Sequence, residues 1–185
     1  MKITAIIPAR GGSKRLKKKN IVKVWGMPMI YWTIKACQDS KYDIDVWVST
    51  EDSEIKKTVS QFNVSLHNRK KEHAEDNVFK QVVIRSAAKY IDSKKGKSDI
   101  YISVQANSPE INGKIIDSAI EKLISTGCSE IFSVDKNLVQ NAAIRVFKGD
   151  YVYQQDLSTY CGVIICNVND IHTQKDIEKI ENEKK

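Results

Sequence analysis

ITAIIPARGGSKRLKKKN, residues Ile3 to Asn20, is the stretch on which the fold turns. Its first part, Ile3 to Pro8, is a continuous apolar run, the pattern of a strand buried on both faces of a sheet. The run passes directly into Arg10-Gly11-Gly12-Ser13-Lys14-Arg15 and then Lys17-Lys18-Lys19-Asn20. Paired glycines let a backbone fold tightly and present its N–H groups to something small. Five basic side chains lie between Lys14 and Lys19. A strand ending in bare amides and dense positive charge suits a polyanion, and a nucleoside triphosphate has the right size.

Two well-known phosphate motifs do not fit. The P-loop needs G-x-x-x-x-G-K-[ST], a spacing the chain lacks. The dinucleotide fingerprint needs a third glycine opening a helix, and none follows Gly12 at that offset. Ile21 to Pro28 instead reads as an extended piece and a turn before the first helix. The basic segment is therefore expected to wrap over its ligand as a loop. The bland alternative is a solvated basic face or a nucleic-acid patch. The lack of interleaved aromatics around Lys14–Lys19 weighs against nucleic acid.

Outward from this segment, strand-like and helix-like stretches alternate. Helical spacing marks Met29 to Ala36, Asp52 to Phe62 (with Ser53 as a cap), Val78 to Ile91, Ile115 to Ile124 and a closing Gln174 to Asn182. Strand-like runs are Asp45–Ser49, Val64–Leu66, Asp99–Val104, Ile131–Val134 and Tyr160–Val168. Ala143–Phe147 and Tyr151–Tyr153, joined across Lys148-Gly149-Asp150, are expected to form a hairpin. The repeated alternation predicts one α/β domain over residues 1–185, a mostly parallel twisted sheet between two helical layers. Ligands of such sheets sit outside the strand C-termini. Arg10, Ser49 and Thr50, Gln105 and Asp170 each follow a predicted strand. The tail Glu178–Lys185 is expected to fray.

A chain of 185 residues is long enough for one domain with a real core. Its net charge of +7 suits an anionic substrate. No apolar run approaches the roughly 20 residues of a membrane span. The first strand lacks the cleavage pattern of a signal peptide, so a cytoplasmic location is expected. Cys37, Cys128, Cys161 and Cys166 lack C-x-x-C spacing and read as buried thiols.

The motifs resemble those of the acylneuraminate cytidylyltransferase (CMP-sialic acid synthetase) family. Ala9, Arg10, Ser13, Lys14, Leu16, Lys19 and Asn20 occupy the places of its I-[IL]-x-A-R-x-x-S-K-x-[IL]-x-x-K-N signature. Val48-Ser49-Thr50-Glu51-Asp52 resembles its V-S-T-D, Arg69 before Asp76 its R-x-x-x-x-x-x-D, and Val104 to Pro109 its L-Q-P-T-S-P. Asn169 to Asp176 resembles its [IV]-D-I-D-T-x-x-D. Gly162 to Cys166 can also match an earlier family strand, G-x-I-Y-I, in which case Asp170 is not the metal residue. The resemblance implies a nucleotide-diphospho-sugar-transferase-like fold and coupling of CTP to a small acidic sugar, a 2-keto sugar acid, with release of pyrophosphate. It implies a CTP site built from Ala9, Arg10, Gly11, Gly12, Ser13, Lys14, Lys19, Asn20, Ser49, Arg69, Gln105 and Asn107. Arg10, Lys19 and Asp170 are its catalytic candidates, with Lys19 stabilising the departing pyrophosphate.

In the family two aspartates hold Mg²⁺; here the places fall to Asp170 and His172. Mg²⁺ favours oxygen ligands, so three readings stay open. Asp170 holds Mg²⁺ while His172 bonds a phosphate or water; the site accepts Mn²⁺; or His172 is a surface histidine. Asp170 can also be a simple helix cap before Thr173. The segment Asp135 to Tyr160 is too short for the family's dimerisation insertion, and much of the sugar lid is expected to be missing; a homodimer is still compatible with the chain. Two other functions remain in view: a nucleotide-binding protein of the same fold with little or no turnover, and nucleotidyl transfer to another acceptor.

Overall fold

The computed structural model describes residues 1–156 and 158–183. In chain order its elements are β1 (Ile3–Pro8), β2 (Lys23–Val24), β3 (Met27–Pro28), α1 (Met29–Gln38), β4 (Ile44–Thr50), α2 (Ser53–Val59), β5 (Ser65–Asn68) and α3 (Lys80–Lys95). There follow β6 (Ile100–Val104), α4 (Gly113–Thr126), β7 (Glu130–Val134), β8 (Gln140–Lys148), β9 (Cys161–Ile165) and α5 (Gln174–Glu183). Seven strands form one sheet in the order β5-β4-β1-β6-β8-β7-β9. Pairs β4–β5, β1–β4, β1–β6 and β7–β9 are parallel; β6–β8 and β7–β8 are antiparallel.

β1, apolar apart from Thr4, is an interior strand between β4 and β6, and both its faces are covered. Ile3, Ala5 and Ile7 join a core with Ile30 and Ile34 of α1, Ile55 of α2 and Ile116 and Ile120 of α4. On the other face Ile6 meets Tyr101, Phe147 and the Ile84, Ala87 and Ile91 stripe of α3. The period-2 alternation of a strand thus feeds two helical layers from one sequence run. α5 closes a third cluster, where Ile177 and Ile180 meet Val24, Met29 and Ile171.

Three local expectations need correction. The hairpin is β7–β8, not a pairing across Lys148-Gly149-Asp150. Asp135 Oδ1 closes its turn by accepting the N–H groups of Asn137 (2.8 Å) and Val139 (2.9 Å). After Lys148 the chain coils into a 3-10 turn, Gly149–Tyr153, which buries Val152 against α3. Gly149 runs so close to Ser98 that a Cβ there would stand 2.3 Å from its carbonyl oxygen. Second, Asp52, not Ser53, caps α2, its Oδ1 accepting from Glu54 (2.8 Å) and Ile55 (2.9 Å). Third, β9 ends at Ile165, short of Val168. The tail is helical through Glu183 with Ile180 buried, and residues 184–185 lie outside the described residues.

Candidate active site

Segments leaving the C-terminal ends of β1, β5 and β6 converge on a cleft of about 250 Å³. Arg10, Ser13, Lys19 and Asn20 come from the first segment, Arg69 to Val78 from the second, Gln105 and Asn107 from the third. The basic segment is a loop as far as Lys18, then a single 3-10 turn, Lys19–Ile21. Asn20 is buried, and its side-chain amide donates to the Arg10 carbonyl at 2.9 Å. It thereby holds the loop's entry to its exit. Ala9 is fully buried and ties the loop to β4 through its N–H to the Ser49 carbonyl, at 3.0 Å.

The two glycines differ in role. A Cβ on Gly11 would stand 2.2 Å from Asp52 Oδ2, whereas one on Gly12 would meet nothing within 4 Å. Gly11 also donates its N–H to Glu51 Oε1 at 2.7 Å. The other Glu51 oxygen lies 3.9 Å from Arg69, so Glu51 links the loop to that arginine. Sequence reading treated Glu51 as part of a motif and gave it no part in the site.

Arg69 is 7% exposed. Its guanidinium donates to the Ser49 carbonyl at 2.7 Å. Desolvation lowers its pKa to about 10, against the attraction of Glu51, and it stays charged at neutral pH. Ser49 itself is fully buried, bonding His67 Nδ1 at 2.9 Å. It supports Arg69 from beneath and does not form the floor of the cleft. Burial, and next the Arg69 charge, depress the His67 pKa to about 4.

Arg10 and Lys14 share a counter-ion. Asp76 sits 2.6 Å from Arg10 and also pairs with Lys14, whose hydrogen bond is the main cause of its lowered pKa. An incoming polyanion has to take over these two cations. Lys19 is half-buried, and loss of hydration lowers its pKa, with Asp170 pulling the other way and Arg15 and Arg10 adding to the fall. His73, which belongs to none of the motifs, lines the cleft, and its Nδ1 is buried without a hydrogen-bond partner.

Gln105 and Asp170 act together. Gln105 Nε2 donates to Asp170 Oδ1 at 2.8 Å, and Ser108 donates to the same oxygen at 2.6 Å. The other end of Gln105 accepts from Lys80 at 3.3 Å. The Lys80 stem is exposed while its ammonium turns in toward Gln105 and the Ala142 carbonyl (2.9 Å), and desolvation there lowers its pKa to about 8. Asn107 is spent on architecture: it donates to the Ile171 carbonyl at 2.9 Å while its own carbonyl accepts the Ile171 N–H. Sequence reading missed Lys80, because a lysine at the start of an amphipathic helix carries no mark of its partners.

Asp170 and His172 flank buried Ile171 but have different company. His172 Nδ1 lies 3.1 Å from Arg15 Nη2, and burial and the charges of Lys19 and Arg15 lower its pKa. No cluster of three or more His, Cys, Asp or Glu with metal-holding geometry exists among the described residues. One carboxylate, with triphosphate oxygens and water, is nevertheless a donor set that Mg²⁺ accepts. Asp170 fits that set; His172, facing a guanidinium, does not.

The cytidylyltransferase family model matches residues 4–159. The chain belongs to the cytidylyltransferase family. The matched stretch contains the residues that line the cleft, and the Asp170–His172 segment lies beyond it. N-acylneuraminate cytidylyltransferase A of Danio rerio is 35% identical over 132 residues, covering 71% of this chain and 30% of that protein. Pseudaminic acid cytidylyltransferase of Campylobacter jejuni is 31% identical over 134 residues, covering 72% of this chain and 58% of that protein. The chain thus spans between about a third and three-fifths of the length of these curated relatives. The solved structure of CMP:2-keto-3-deoxy-manno-octonic acid synthetase in complex with CTP superposes with a TM-score of 0.79, at 15% identity, over 100% of this chain and 98% of that one. That likeness speaks for the fold, which matches the three-layer α/β expectation. Among the described residues no helix is long and apolar enough to cross a membrane.

Proposed function

We propose that this chain is a metal-dependent cytidylyltransferase that joins CTP to a 2-keto sugar acid of the sialic, pseudaminic or octulosonic kind, giving a CMP-sugar and pyrophosphate. The observation that carries the reading is the meeting of Arg10 and Lys19, from the loop after β1, with Arg69, from the segment after β5, in one cleft edged by Gln105. The names of the relatives support the nucleotide and the acid. Four free thiols support a cytoplasmic setting.

In this reading the acceptor hydroxyl oxygen bonds the α-phosphorus as the α–β bridging P–O bond breaks. Pyrophosphate leaves with the bonding electrons, and the hydroxyl proton passes to water. Such a transfer asks the protein for alignment and charge neutralisation. Arg10 and Lys14 exchange Asp76 for the triphosphate. Lys19, partly desolvated, faces the departing charge. Arg69, fixed by Ser49 and Glu51, sets the depth of the nucleotide. Gln105 and Ser108 hold Asp170 in one orientation. Bound Mg²⁺, or Mn²⁺ in its place, would offset part of the phosphate charge with Asp170 as its protein carboxylate.

The test is CTP-dependent pyrophosphate release with a panel of keto-sugar acids. Lys19→Ala is expected to slow release by roughly 10²–10³-fold, the usual effect of losing one preorganised charge-stabilising donor. Unchanged release in Lys19→Ala and Arg10→Ala would remove the basis of the reading.

A further inference from the structure

A second cavity, of about 230 Å³, meets the cleft at Lys80, which lines both. It lies between the start of α3 and the sheet, and Gln81, Ser103, Phe132, Ile144 and Arg145 are among its walls. Ser103 and Arg145 are register partners on β6 and β8, so their side chains emerge from the same face of the sheet.

Three features mark this cavity as built for a ligand. Ser103 is 3% exposed, and its hydroxyl has no hydrogen-bond partner. An unpaired buried hydroxyl costs stability unless something arrives to pair with it. Arg145 is held rigid. Its Nε donates to Glu130 Oε2 at 2.7 Å, its Nη2 lies 2.5 Å from the same oxygen, and the guanidinium stacks 4.8 Å from the Phe147 ring. Nη1 turns to Gln81 at 3.4 Å, a long contact that leaves donor capacity on the cavity side. Lys80 completes the set from the cleft side, still protonated at neutral pH.

Two of the remaining polar walls, Asn141 and Gln81, are occupied. Asn141 spends its amide on the Cys166 carbonyl and its oxygen on Ser133. Gln81 Nε2 donates to the Val152 carbonyl at 3.1 Å. The free capacity is therefore the Lys80 ammonium, the remaining donors of a guanidinium whose charge Glu130 balances, and one hydroxyl, with the exposed Gln140 at the rim, beside the apolar surface of Phe132 and Ile144. That combination recognises a carboxylate carried on a hydroxylated ring.

We propose that this cavity is the acceptor subsite. The acid's carboxylate docks between Lys80 and Arg145, one of its hydroxyls pairs with Ser103, and the ring lies against Phe132 and Ile144. The inference rests on the transfer reading above, since it assigns that reaction's acceptor to a place. It explains why Lys80 bridges the two cavities: the cation that anchors the acid also borders the nucleotide cleft, so the acceptor is held beside the phosphate it attacks.

The experiment measures binding, not turnover. N-acetylneuraminate, 3-deoxy-manno-octulosonate and the uncharged methyl ester of N-acetylneuraminate are titrated by calorimetry into the wild type, with CTP titrated separately. The acids are expected to bind at least about tenfold more tightly than the ester, the scale of a charge-assisted pair. Lys80→Met should lose that preference. Arg145→Met alone leaves Glu130 buried without its counter-charge, so the companion variant is Arg145→Met/Glu130→Gln. It too should lose the preference while its CTP affinity stays within about threefold, because Arg145 does not line the cleft. Ser103→Val should weaken acid and ester alike. Acid binding of wild-type strength in both cation variants overturns the subsite, as does a wild type that fails to bind the acids or to prefer them to the ester. A wild type that binds the acids in this way but neither binds CTP nor releases pyrophosphate sinks the transfer reading and leaves the subsite standing.

Discussion

Gly11→Ala is the most telling single change, because the structure assigns its cost to one contact. The added methyl would stand 2.2 Å from Asp52 Oδ2 and 2.8 Å from Asp52 Cβ. The carboxylate oxygen can swing, but the Cβ cannot move without the backbone. Opening the shorter contact to 3.0 Å takes a retreat of about 0.8 Å. If Asp52 gives way, α2 loses the cap that accepts from Glu54 and Ile55, about 1 kcal/mol. If the loop gives way, the 2.7 Å bond from Gly11 to Glu51 goes, a charge-assisted bond of roughly 1.5–3 kcal/mol. Either route destabilises by about 1–3 kcal/mol, which in a chain of this size lowers Tm by roughly 2–12 °C. The functional cost is larger. A displacement near 1 Å in a positioning element can cost on the order of 10²-fold in rate. The assay pairs urea unfolding with CTP titration and pyrophosphate release, and Gly12→Ala is the control, since nothing lies within 4 Å of its added carbon. A Gly11→Ala protein that matches the wild type in all three measurements, or a Gly12→Ala protein that is equally impaired, refutes the packing argument.

Other outcomes follow from the same contacts. With its folded pKa near 4, His67 refuses a proton that the unfolded chain takes up below about pH 6.5, so stability falls as pH drops from 6.5 toward 4. That loss, roughly 2–4 kcal/mol, should shrink in His67→Gln relative to the wild type in urea titrations at pH 7 and pH 4.5. Asn107→Ala strands the buried Ile171 carbonyl and should cost about 1–3 kcal/mol, while lowering the rate of pyrophosphate release more than CTP affinity. Chelation should abolish pyrophosphate release and Mg²⁺ should restore it; Asp170→Asn should resist restoration, whereas His172→Ala should remain within about threefold of the wild type, as a residue outside the ion's ligand set should.

The layers of the fold were legible because apolar periodicity reports burial directly. Ile3–Pro8 is buried on both faces, and the α3 stripe Ile84, Ala87, Ile91 is the one the spacing picked out. The β8 region misled because Lys148-Gly149-Asp150 has the composition of a hairpin turn, while the close approach of Gly149 to Ser98 is a contact across 51 positions that local pattern does not encode. Asp52 and Ser53 are both good cap formers, and only geometry separates them. The candidate site was legible as far as residue type goes: Arg10, Lys19, Arg69 and Gln105 all line the cleft. Which of those groups are already engaged was not. Gln105 meets Asp170 across 65 positions, and Asn107 is taken by Ile171 across 64. Lys80, Ser103 and Arg145 were passed over because a surface lysine, a strand serine and a strand arginine have no signature until the sheet register puts them side by side.

The reciprocal bonds between Asn107 and Ile171 set an order on the birth of the molecule. A ribosome releases the basic loop, Arg69 and Gln105 long before the stretch that carries Asp170. Until Ile171 docks, Gln105 lacks its Asp170 partner and the cleft stands without that carboxylate. The basic wall of the cleft is therefore synthesised first, and Gln105 gains its contact with Asp170 only once Ile171 has docked.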